Sequence, residues 1–354
     1  MKTTVIMGTR PEIIKASSII HQLKDPFIIF TGQHYDYNLS TQFLEELDLP
    51  KPNISLRLSK SNSAIQVGEI IKKLGKILPK VNPDTVIVVG DTNTVLGASI
   101  ASLKSGIPVS HVEAGPRSFD WRMPEEHNRI QVDHISELLF APTQLARKNL
   151  LKENVHGRIF VTGNTVIDAI NKYADLAPKK SQIKIDFENF ILMTLHRAEN
   201  VDDKNILSSI IKAISHSKEN IIFPIHPHTL KKLHDFKLYS KLKDSNNVHM
   251  IPPVGYFDML ELMKKCSFII TDSGGIQQEA TSPKIRKRVL VTRKTTDSPE
   301  AVLAGVAKVV GINSSKISAA IKETSINPKL QTRKTPYGNG NSGRQIIKIM
   351  KKYF

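Results

Sequence analysis

Short apolar runs recur along the whole chain, each ending at a glycine or a small polar residue and followed by a helix-forming segment. A run that is apolar at every residue predicts a strand buried on both faces, and such strands alternating with helices form parallel sheets. The chain is therefore predicted to be an α/β protein, whereas residues 37–80 predict only helices and loops. The predicted strands are Thr3–Met7, Phe27–Phe30, Asp84–Val89, 107–113, Leu138–Ala141, Arg158–Gly163, Phe190–Leu195, Ile221–Ile225, Val248–Ile251, Phe268–Thr271, Val289–Val291 and Val306–Val310.

The length of 354 residues exceeds what one hydrophobic core usually serves, so two domains are expected. A polar and basic connector, Pro178 to Ser181, lies between two series of predicted strands. We place an N-terminal Rossmann-like domain over residues 1–170 and a C-terminal Rossmann-like domain over residues 171–341. A final amphipathic helix, Arg344 to Tyr353, is predicted within residues 342–354.

Several classes of protein are disfavoured by composition. No apolar run approaches the roughly 20 residues of a membrane span, and the N-terminus lacks the layout of a signal peptide, so a cytoplasmic protein without membrane contact is expected. The single cysteine, Cys266, excludes an internal disulfide and a cysteine-based zinc site, and it is predicted to be a small core residue. No spacing of ligating residues supports another metal site, so none is predicted.

The formal charge is +17, and it is concentrated in residues 171–354, which carry 31 Lys+Arg against 16 Asp+Glu. Nucleic acid and an anionic small substrate are the two partners that such a charge suggests. The lysines are scattered and are not interleaved with aromatic residues, as a stacking platform for bases would require. We therefore favour an anionic small substrate and no nucleic acid.

The stretch from Ser267 to Glu279 reads as strand, tight turn and helix. The hydroxyl of Ser273 and the backbone N–H groups of Gly274 and Gly275 would lie at a helix N-terminus, where an anion such as phosphate is favoured. Glu279 follows one helical turn later and could accept hydrogen bonds from a ribose diol. The alternative is an ordinary strand-to-helix turn without a ligand.

A second glycine turn follows the first strand, at Gly8 to Glu12. Arg10 and Lys15 lie near the start of the helix that begins there, and their positive charges suit a diphosphate. Surface charges on an amphipathic helix are the alternative reading of the same two residues.

Acidic residues follow the predicted strands of the first half. Asp91 and Glu113 come directly after strands, and Glu125 lies in a later Pro-Glu-Glu stretch. Carboxylates that converge at the carboxyl edge of a sheet shift one another's pKa values and can act as acid and base near neutral pH. The alternatives are a helix N-cap for Asp91, an ion pair for Glu113 and a first-turn partner of the helix dipole for Glu125.

Eight segments occur in one order and together closely resemble the non-hydrolysing UDP-N-acetylglucosamine 2-epimerases. The resemblance spans nearly the whole chain, and it is the order of the eight segments that makes it specific. The segments are Gly8-Thr9-Arg10-Pro11-Glu12, Gly90-Asp91-Thr92, His111-Val112-Glu113-Ala114-Gly115, Pro124-Glu125-Glu126 with Asn128-Arg129, Gly163-Asn164-Thr165, His196-Arg197 with Glu199, Thr271-Asp272-Ser273-Gly274-Gly275-Ile276-Gln277 and Pro336-Tyr337-Gly338.

This resemblance implies a GT-B fold, in which two Rossmann-like domains with parallel sheets face a deep cleft and the C-terminal helix packs back on the first domain. It implies a homodimer and a reversible 2-epimerisation of UDP-N-acetylglucosamine to UDP-N-acetylmannosamine. The reaction would pass through UDP and 2-acetamidoglucal and would need no cofactor. By matching motif, the catalytic candidates are Asp91, Glu113, Glu125 and His196, and the UDP-binding candidates are Arg10, Lys15, Ser273, Gly274, Gly275 and Glu279.

The chain departs from the usual family pattern at several positions. Ser298 replaces a usual arginine, so one phosphate contact is expected to be missing, and the basic segment Lys284 to Arg288 could compensate through Arg286 or Arg288. Met259 stands where an aromatic residue often stacks near the uracil. The regulatory pocket of bacterial members would comprise Gln33, His34, Arg197 and His226, with Asp36 replacing a usual glutamine; regulation is not predicted.

Three alternative functions remain beside this one. The basic second half is compatible with epimerisation of a related acidic UDP-sugar, such as a diacetamido-uronate. A GT-B glycosyltransferase shares the nucleotide site but needs an acceptor, and Asp91, Glu113 and Glu125 together argue against it. A nucleic-acid-binding module is the third alternative.

Overall fold

The computed structural model describes residues 1–32, 43–59 and 61–354, and they divide into two compact units. The first unit comprises Met1–Ala169 together with Tyr337–Phe354, and the second comprises Ile170–Pro336. Each unit contains one sheet in which every pairing of neighbouring strands is parallel. The predicted α/β class with two Rossmann-like parallel sheets is confirmed.

Within the described residues, the sheet of the first unit has seven strands in the order β3-β2-β1-β4-β5-β6-β7. Six of the seven coincide with predicted strands. The bounds are β1 Thr3–Met7, β2 Phe27–Phe30, β3 Ile54–Ser55, β4 Thr85–Val89, β5 Val109–Val112, β6 Leu138–Ala141 and β7 Arg158–Val161.

The seventh, β3, corrects the prediction of helices and loops for residues 37–80. It is only two residues long and pairs with the edge of β2, Ile54 with Ile29 and Ser55 with Phe30. A strand of two residues is too short to show the alternation or the continuous apolar run by which a strand is recognised in sequence.

The sheet of the second unit has six strands in the order β10-β9-β8-β11-β12-β13, and all six were predicted. They are β8 Ile191–Thr194, β9 Ile221–Pro224, β10 Val248–Ile251, β11 Ile269–Thr271, β12 Val289–Val291 and β13 Ala307–Val309. Most of their side chains are buried, as the apolar runs predict, because helices cover both faces of such a sheet.

Helices connect the strands of both units. Their bounds are Arg10–Ile20, Ser63–Val81, Asn93–Lys104, Pro124–Ile135, Gln144–Lys152, Thr165–Tyr173, Ala177–Lys180, Ala198–Val201, Lys204–Ser215, Pro227–Asp235, Tyr239–Lys243, Tyr256–Lys265, Gly274–Glu279, Pro299–Leu303, Ser314–Ile326 and Ser342–Met350. In the part of the chain that the structure describes, no helix is long and apolar enough to cross a membrane.

The last helix, Ser342–Met350, packs on the helix Arg10–Ile20 within the first unit. Its N-terminus is fixed by Asp168, which accepts hydrogen bonds from the N–H groups of Ser342 at 3.1 Å and Gly343 at 2.8 Å. A carboxylate at this point satisfies backbone donors that have no partner inside the helix.

The two sheet orders fix where ligands are expected. In each, the strand order reverses beside the first strand of the unit, between β1 and β4 and between β8 and β11. Open parallel sheets bind ligands at the carboxyl ends of the strands at such a reversal. Ligands are therefore expected at the turns after β1 and β4 and at those after β8 and β11.

Candidate functional site

The turn after β1 is built around a buried carboxylate, Glu12. Its Oε2 accepts hydrogen bonds from the N–H groups of Gly8 at 2.6 Å and Thr9 at 3.3 Å, and its Oε1 accepts one from the hydroxyl of Thr92. Burial raises the pKa of Glu12 to about 7 against the lowering effect of these bonds, and the negative charge of Asp91 raises it further. Glu12 therefore ties the turn after β1 to the turn after β4.

Gly8 is required by the packing of this turn. A Cβ at this position would lie 2.2 Å from Oγ1 of both Thr31 and Thr94, which are themselves hydrogen-bonded at 2.7 Å. The turn positions the two predicted cationic residues differently: the guanidinium of Arg10 lies 5.4 Å from the ring centre of Phe43, whereas Lys15 forms an ion pair with Glu113.

Asp91 follows β4 and Gly90. Its Oδ2 accepts hydrogen bonds from Nε of Arg129 at 3.0 Å and from Nη2 of the same guanidinium, and Asn128 donates to its backbone carbonyl at 2.9 Å. The N-cap of the following helix is Thr92, not Asp91, so the alternative reading of Asp91 as a cap is wrong. Its carboxylate, 31% exposed, is oriented by a nearly buried arginine.

Glu113 follows β5 and has a backbone φ of +69°. A non-glycine residue in this region costs about 1–3 kcal/mol and persists only where its surroundings hold it, which is common at functional sites. The carboxylate is paired with Lys15 and accepts a hydrogen bond from the amide of Asn164 at 3.1 Å. The ion pair that was the alternative reading of Glu113 is present, and it joins one proposed acid–base residue to one proposed UDP-binding residue.

Two adjacent carboxylates, Glu125 and Glu126, lie in the first turn of the helix Pro124–Ile135. Glu126 is buried and accepts hydrogen bonds from Ser118 N–H at 3.0 Å, Ser118 Oγ at 2.9 Å, Phe119 N–H at 3.0 Å and Arg129 Nη1 at 3.0 Å. Glu126 therefore holds the loop before the helix. Glu125 is half-buried, which leaves it the better placed of the two to meet a ligand.

In the second unit, His196 follows β8 beside a buried aspartate. Asp272 accepts hydrogen bonds from the N–H groups of His196 and Arg197, and its Oδ1 lies 3.4 Å from Nδ1 of His196. Desolvation lowers the pKa of His196, and the positive charge of Arg197 acts in the same direction, while Asp272 opposes both. A neutral imidazole at this position can accept a proton near pH 7.

The turn after β11 has the predicted strand-turn-helix form. Ser273 is the N-cap of the helix Gly274–Glu279, and its Oγ accepts from Ile276 N–H at 3.5 Å. A Cβ on Gly274 would lie 2.4 Å from Oδ1 of Asp297, whereas one on Gly275 would meet only Oγ of Ser273, at 3.8 Å. The fold itself thus requires a glycine at position 274 and leaves space at position 275.

Glu279, the last residue of this helix, is half-buried. Burial raises the pKa of Tyr256 well above its usual value, and the nearby charge of Glu279 raises it further. The carboxylate is therefore close to the phenol of Tyr256 in the same unit.

Ser298 lies directly beneath this turn. It is buried, donates to the carbonyl of Gly274 at 3.4 Å and accepts from the side-chain amide of Gln278 at 3.3 Å. Arg286 and Arg288, the residues expected to compensate for the missing arginine, donate instead to the carbonyls of Thr332 at 3.0 Å and Lys329 at 3.1 Å. The structure assigns these two guanidinium groups to a neighbouring backbone segment.

The residues named for a regulatory pocket are only partly described. Gln33, His34 and Asp36 lie outside the described residues. Within the second unit, the rings of His196 and His226 have centroids 5.9 Å apart. Among the described residues, no group of three or more His, Cys, Asp or Glu side chains could hold a metal ion.

Three supporting residues were not singled out from the sequence: Glu12, Arg129 and His111. All three stand in quoted motifs, but the roles of Glu12 and Arg129 depend on partners about 80 and 38 positions away. His111 is completely buried in β5, two residues before Glu113. A histidine within a short buried strand is the signal that could have marked it in advance.

The chain matches the protein-family model described as UDP-N-acetylglucosamine 2-epimerase over residues 20–351. It is 44% identical over 365 residues to the UDP-N-acetylglucosamine 2-epimerase of Methanocaldococcus jannaschii, covering 99% of each chain. It is 35% identical to the UDP-2,3-diacetamido-2,3-dideoxy-D-glucuronate 2-epimerase of Pseudomonas aeruginosa, covering 99% of this chain and 100% of the relative.

A crystal structure of the Methanocaldococcus jannaschii UDP-GlcNAc 2-epimerase in complex with UDP-GlcNAc and UDP matches with a TM-score of 0.92 at 43% identity. The match covers 99% of this chain and 100% of that one. The predicted GT-B class, with its two Rossmann-like domains, is confirmed by this similarity. The chain belongs to the UDP-N-acetylglucosamine 2-epimerase family, a family of isomerases.

Proposed function

We propose that this enzyme interconverts UDP-N-acetylglucosamine and UDP-N-acetylmannosamine. The observation that carries the proposal is the group of carboxylates at the strand ends of the first unit. Asp91 is oriented by Arg129, Glu113 is held at a positive φ by Lys15 and Asn164, and Glu125 stands at a helix start. The similarity to UDP-N-acetylglucosamine 2-epimerases supports this substrate, and these side chains would supply the proton transfers that inversion at C2 requires.

The reaction is proposed to proceed by elimination and re-addition. A carboxylate removes the proton on C2, the electron pair of that C–H bond forms the C1–C2 double bond of 2-acetamidoglucal, and the C1–O bond breaks so that UDP leaves with its electron pair. UDP then adds back to C1 while a proton is delivered to the opposite face of C2. Atoms and charge balance without an oxidant, a reductant or a cofactor.

We assign the proton transfers to Asp91, Glu113 and Glu125, together with His196 from the second unit. The lowered pKa of His196 keeps its imidazole neutral near pH 7, so it could take up a proton during the cycle. Two carboxylates in different hydrogen-bonding environments can act on opposite faces of one carbon, one as base and one as acid.

In the second unit, UDP is proposed to bind at the turn after β11. The hydroxyl of Ser273 and the N–H groups of Gly274 and Gly275 would bind the diphosphate, and Glu279 would accept the ribose hydroxyls. Arg10 and Lys15 would stabilise the negative charge that develops on UDP as it leaves. We expect the enzyme to be a homodimer, as its resemblance to the family implies, which light scattering would test.

The first experiment is proton NMR of the purified protein with UDP-N-acetylglucosamine in deuterated water, without acceptor or cofactor. New signals of the manno epimer, with loss of the C2 proton from both sugars, are expected. A substrate carrying oxygen-18 in the bridging position at C1 should also scramble its label into the non-bridging positions of the β-phosphate, because free UDP forms. Epimerisation without scrambling would contradict the elimination, and no epimerisation would contradict the proposed function.

A second candidate substrate is the acidic UDP-2,3-diacetamido-2,3-dideoxy-glucuronate. Two observations favour it: the 35% identity to the Pseudomonas aeruginosa enzyme and the positive charge concentrated in residues 171–354. The same NMR assay with both sugars separates the candidates. Activity at least about tenfold higher on the neutral sugar, a difference of about 1.4 kcal/mol in transition-state stabilisation, would eliminate the acidic one.

A further inference from the structure

A polar network with a buried centre lies behind the strand ends that carry the proposed acid–base residues. His111 in β5 and Asp133 in the helix Pro124–Ile135 both have no exposed surface, and Nδ1 of His111 lies 2.7 Å from Oδ1 of Asp133. Nη2 of Arg117 lies 2.7 Å from Oδ2 of Asp133 and 2.7 Å from Oε2 of Glu153. An imidazole, a guanidinium and two carboxylates are thus joined inside the first unit.

The second ring nitrogen of His111 contacts the backbone. Its Nε2 lies 2.8 Å from the carbonyl oxygen of Gly90. A carbonyl oxygen can only accept a hydrogen bond, so Nε2 must carry the proton. The ring therefore connects Asp133 to the backbone directly before Asp91.

Both carboxylate oxygens of Asp133 have polar partners. Oδ1 faces Nδ1 of His111, and Oδ2 lies 2.7 Å from Nη2 of Arg117. Burial raises the pKa of Asp133, but its contacts with His111 and Arg117 outweigh burial and lower it. The contact at Nδ1 fixes the orientation of the imidazole ring, and the hydrogen bond at one ring nitrogen sets the role of the other.

This network touches both turns that present the proposed carboxylates. Gly90 has a φ of +86°, so its peptide changes the chain direction between β4 and Asp91. On the other side, Oδ2 of Asp133 accepts the N–H of Gly115 at 3.1 Å, two residues after the strained Glu113. Fixing these two peptides fixes the backbone from which both carboxylates project.

We infer that His111 is a positioning residue, which sets the place of the Asp91 carboxylate by donating a hydrogen bond from Nε2 to the carbonyl of Gly90. Asp133 orients the ring, and neither residue touches the substrate. This inference rests on the proposed function, because it concerns the proton transfer that Asp91 performs. Displacement of a reacting group by about 1 Å reduces turnover about 100-fold.

Three variants test the contacts of the two ring nitrogens of His111 separately. His111→Asn keeps an amide donor for Asp133 but is too short to reach the carbonyl of Gly90. His111→Gln can place an amide N–H at the position of Nε2 and so keeps the bond to Gly90. Asp133→Asn lets a neutral His111 accept at Nδ1 from the new amide and still donate from Nε2 to Gly90.

The measurements are kcat and KM for epimerisation of UDP-N-acetylglucosamine, the dissociation constant of UDP and the thermal unfolding of each variant. We expect kcat to fall about 100-fold in His111→Asn and to recover to within about tenfold of the wild type in His111→Gln and Asp133→Asn. KM and UDP affinity should stay within about threefold in all three, because His111 and Asp133 have no exposed surface with which to contact a nucleotide.

The comparison of His111→Asn with His111→Gln tests the hydrogen bond to Gly90. Equal kcat losses in His111→Asn and His111→Gln at equal UDP affinity would overturn the positioning role, because only the first loses the bond to Gly90. Wild-type kcat in His111→Asn would overturn it as well. A wild-type enzyme that binds UDP but epimerises no UDP-sugar would overturn the proposed function itself, and the inference with it.

Discussion

Arg129 donates two hydrogen bonds to one carboxylate oxygen of Asp91: Nε donates to Oδ2 at 3.0 Å, and Nη2 donates to the same oxygen. The third nitrogen, Nη1, donates to Glu126 at 3.0 Å. A planar fork that spans two carboxylates fixes their relative position, which a lysine with one nitrogen cannot do. Asp91 is thereby coupled to the loop that Glu126 holds.

Replacing Arg129 by lysine is therefore expected to lower kcat about 100-fold, because Asp91 loses its orientation. It should also lower the unfolding free energy by about 1–3 kcal/mol, since one ammonium cannot replace the hydrogen bonds of the guanidinium to both carboxylates, and Glu126 is buried. Steady-state kinetics and urea unfolding measure the two effects.

Arg122 provides the control for Arg129. Its ion pair with Asp120 has a short distance of 2.6 Å, but the arginine side chain is 70% exposed. Arg122→Lys should change stability by less than about 1 kcal/mol and leave kcat unchanged. Equal effects of the two substitutions would contradict the role given to Arg129.

The adjacent residues Glu125 and Glu126 are expected to respond in opposite ways to the same substitution. Glu125→Gln should lower kcat by about 10²–10⁴, the usual contribution of a general acid or base, with unfolding free energy nearly unchanged. Glu126→Gln should lower unfolding free energy by about 1–3 kcal/mol, because an amide cannot accept all four hydrogen bonds of the buried carboxylate. A kcat loss confined to Glu126→Gln would reverse the assignment of the catalytic member of this pair.

Glu12 should make stability depend on pH. Its pKa is raised from 4.5 to about 7 by burial, so the folded state binds a proton more tightly than the unfolded chain. The stabilising contribution of this proton is complete below about pH 4.5 and is lost as pH rises to about 7, a change of about 3 kcal/mol.

The glutamine variant of Glu12 isolates this contribution. An amide can accept from Gly8 and donate to Thr92 without titrating, so Glu12→Gln should lack this component of the pH dependence. The unfolding free energy of the wild type, relative to the variant, is expected to decline between pH 4.5 and 7 and to level off above pH 7. A difference that is constant across this range would show that Glu12 is ionised throughout.

The strands could be predicted because a parallel sheet covered by helices on both faces has strands that are continuous apolar runs. It missed β3, whose two residues exist as a strand only through pairing with β2. It also named the candidate site residues but not their supports, since Glu12, Arg129 and His111 act on partners distant in the chain. Glu113 illustrates the same limit: its position after a strand is visible in the sequence, whereas its positive φ and its pairing with Lys15 require the fold.

Alanine substitutions at the two glycines of the turn after β11 separate an effect on folding stability from an effect on UDP affinity. At Gly274 an added Cβ would collide with Asp297 at 2.4 Å, so Gly274→Ala should cost about 1–3 kcal/mol in unfolding free energy. At Gly275 the protein leaves room, and alanine is a better helix former than glycine, so Gly275→Ala should not destabilise the fold.

If the diphosphate approaches the backbone of Gly275 closely, the methyl group of alanine will obstruct it. Calorimetric titration with UDP should then show a loss of affinity of at least about tenfold, or about 1.4 kcal/mol, in a variant of wild-type thermal stability. Wild-type UDP affinity in Gly275→Ala would place the diphosphate away from this peptide. In that case the hydroxyl of Ser273 and the N–H group of Gly274 would be the contacts at this turn that the proposal retains.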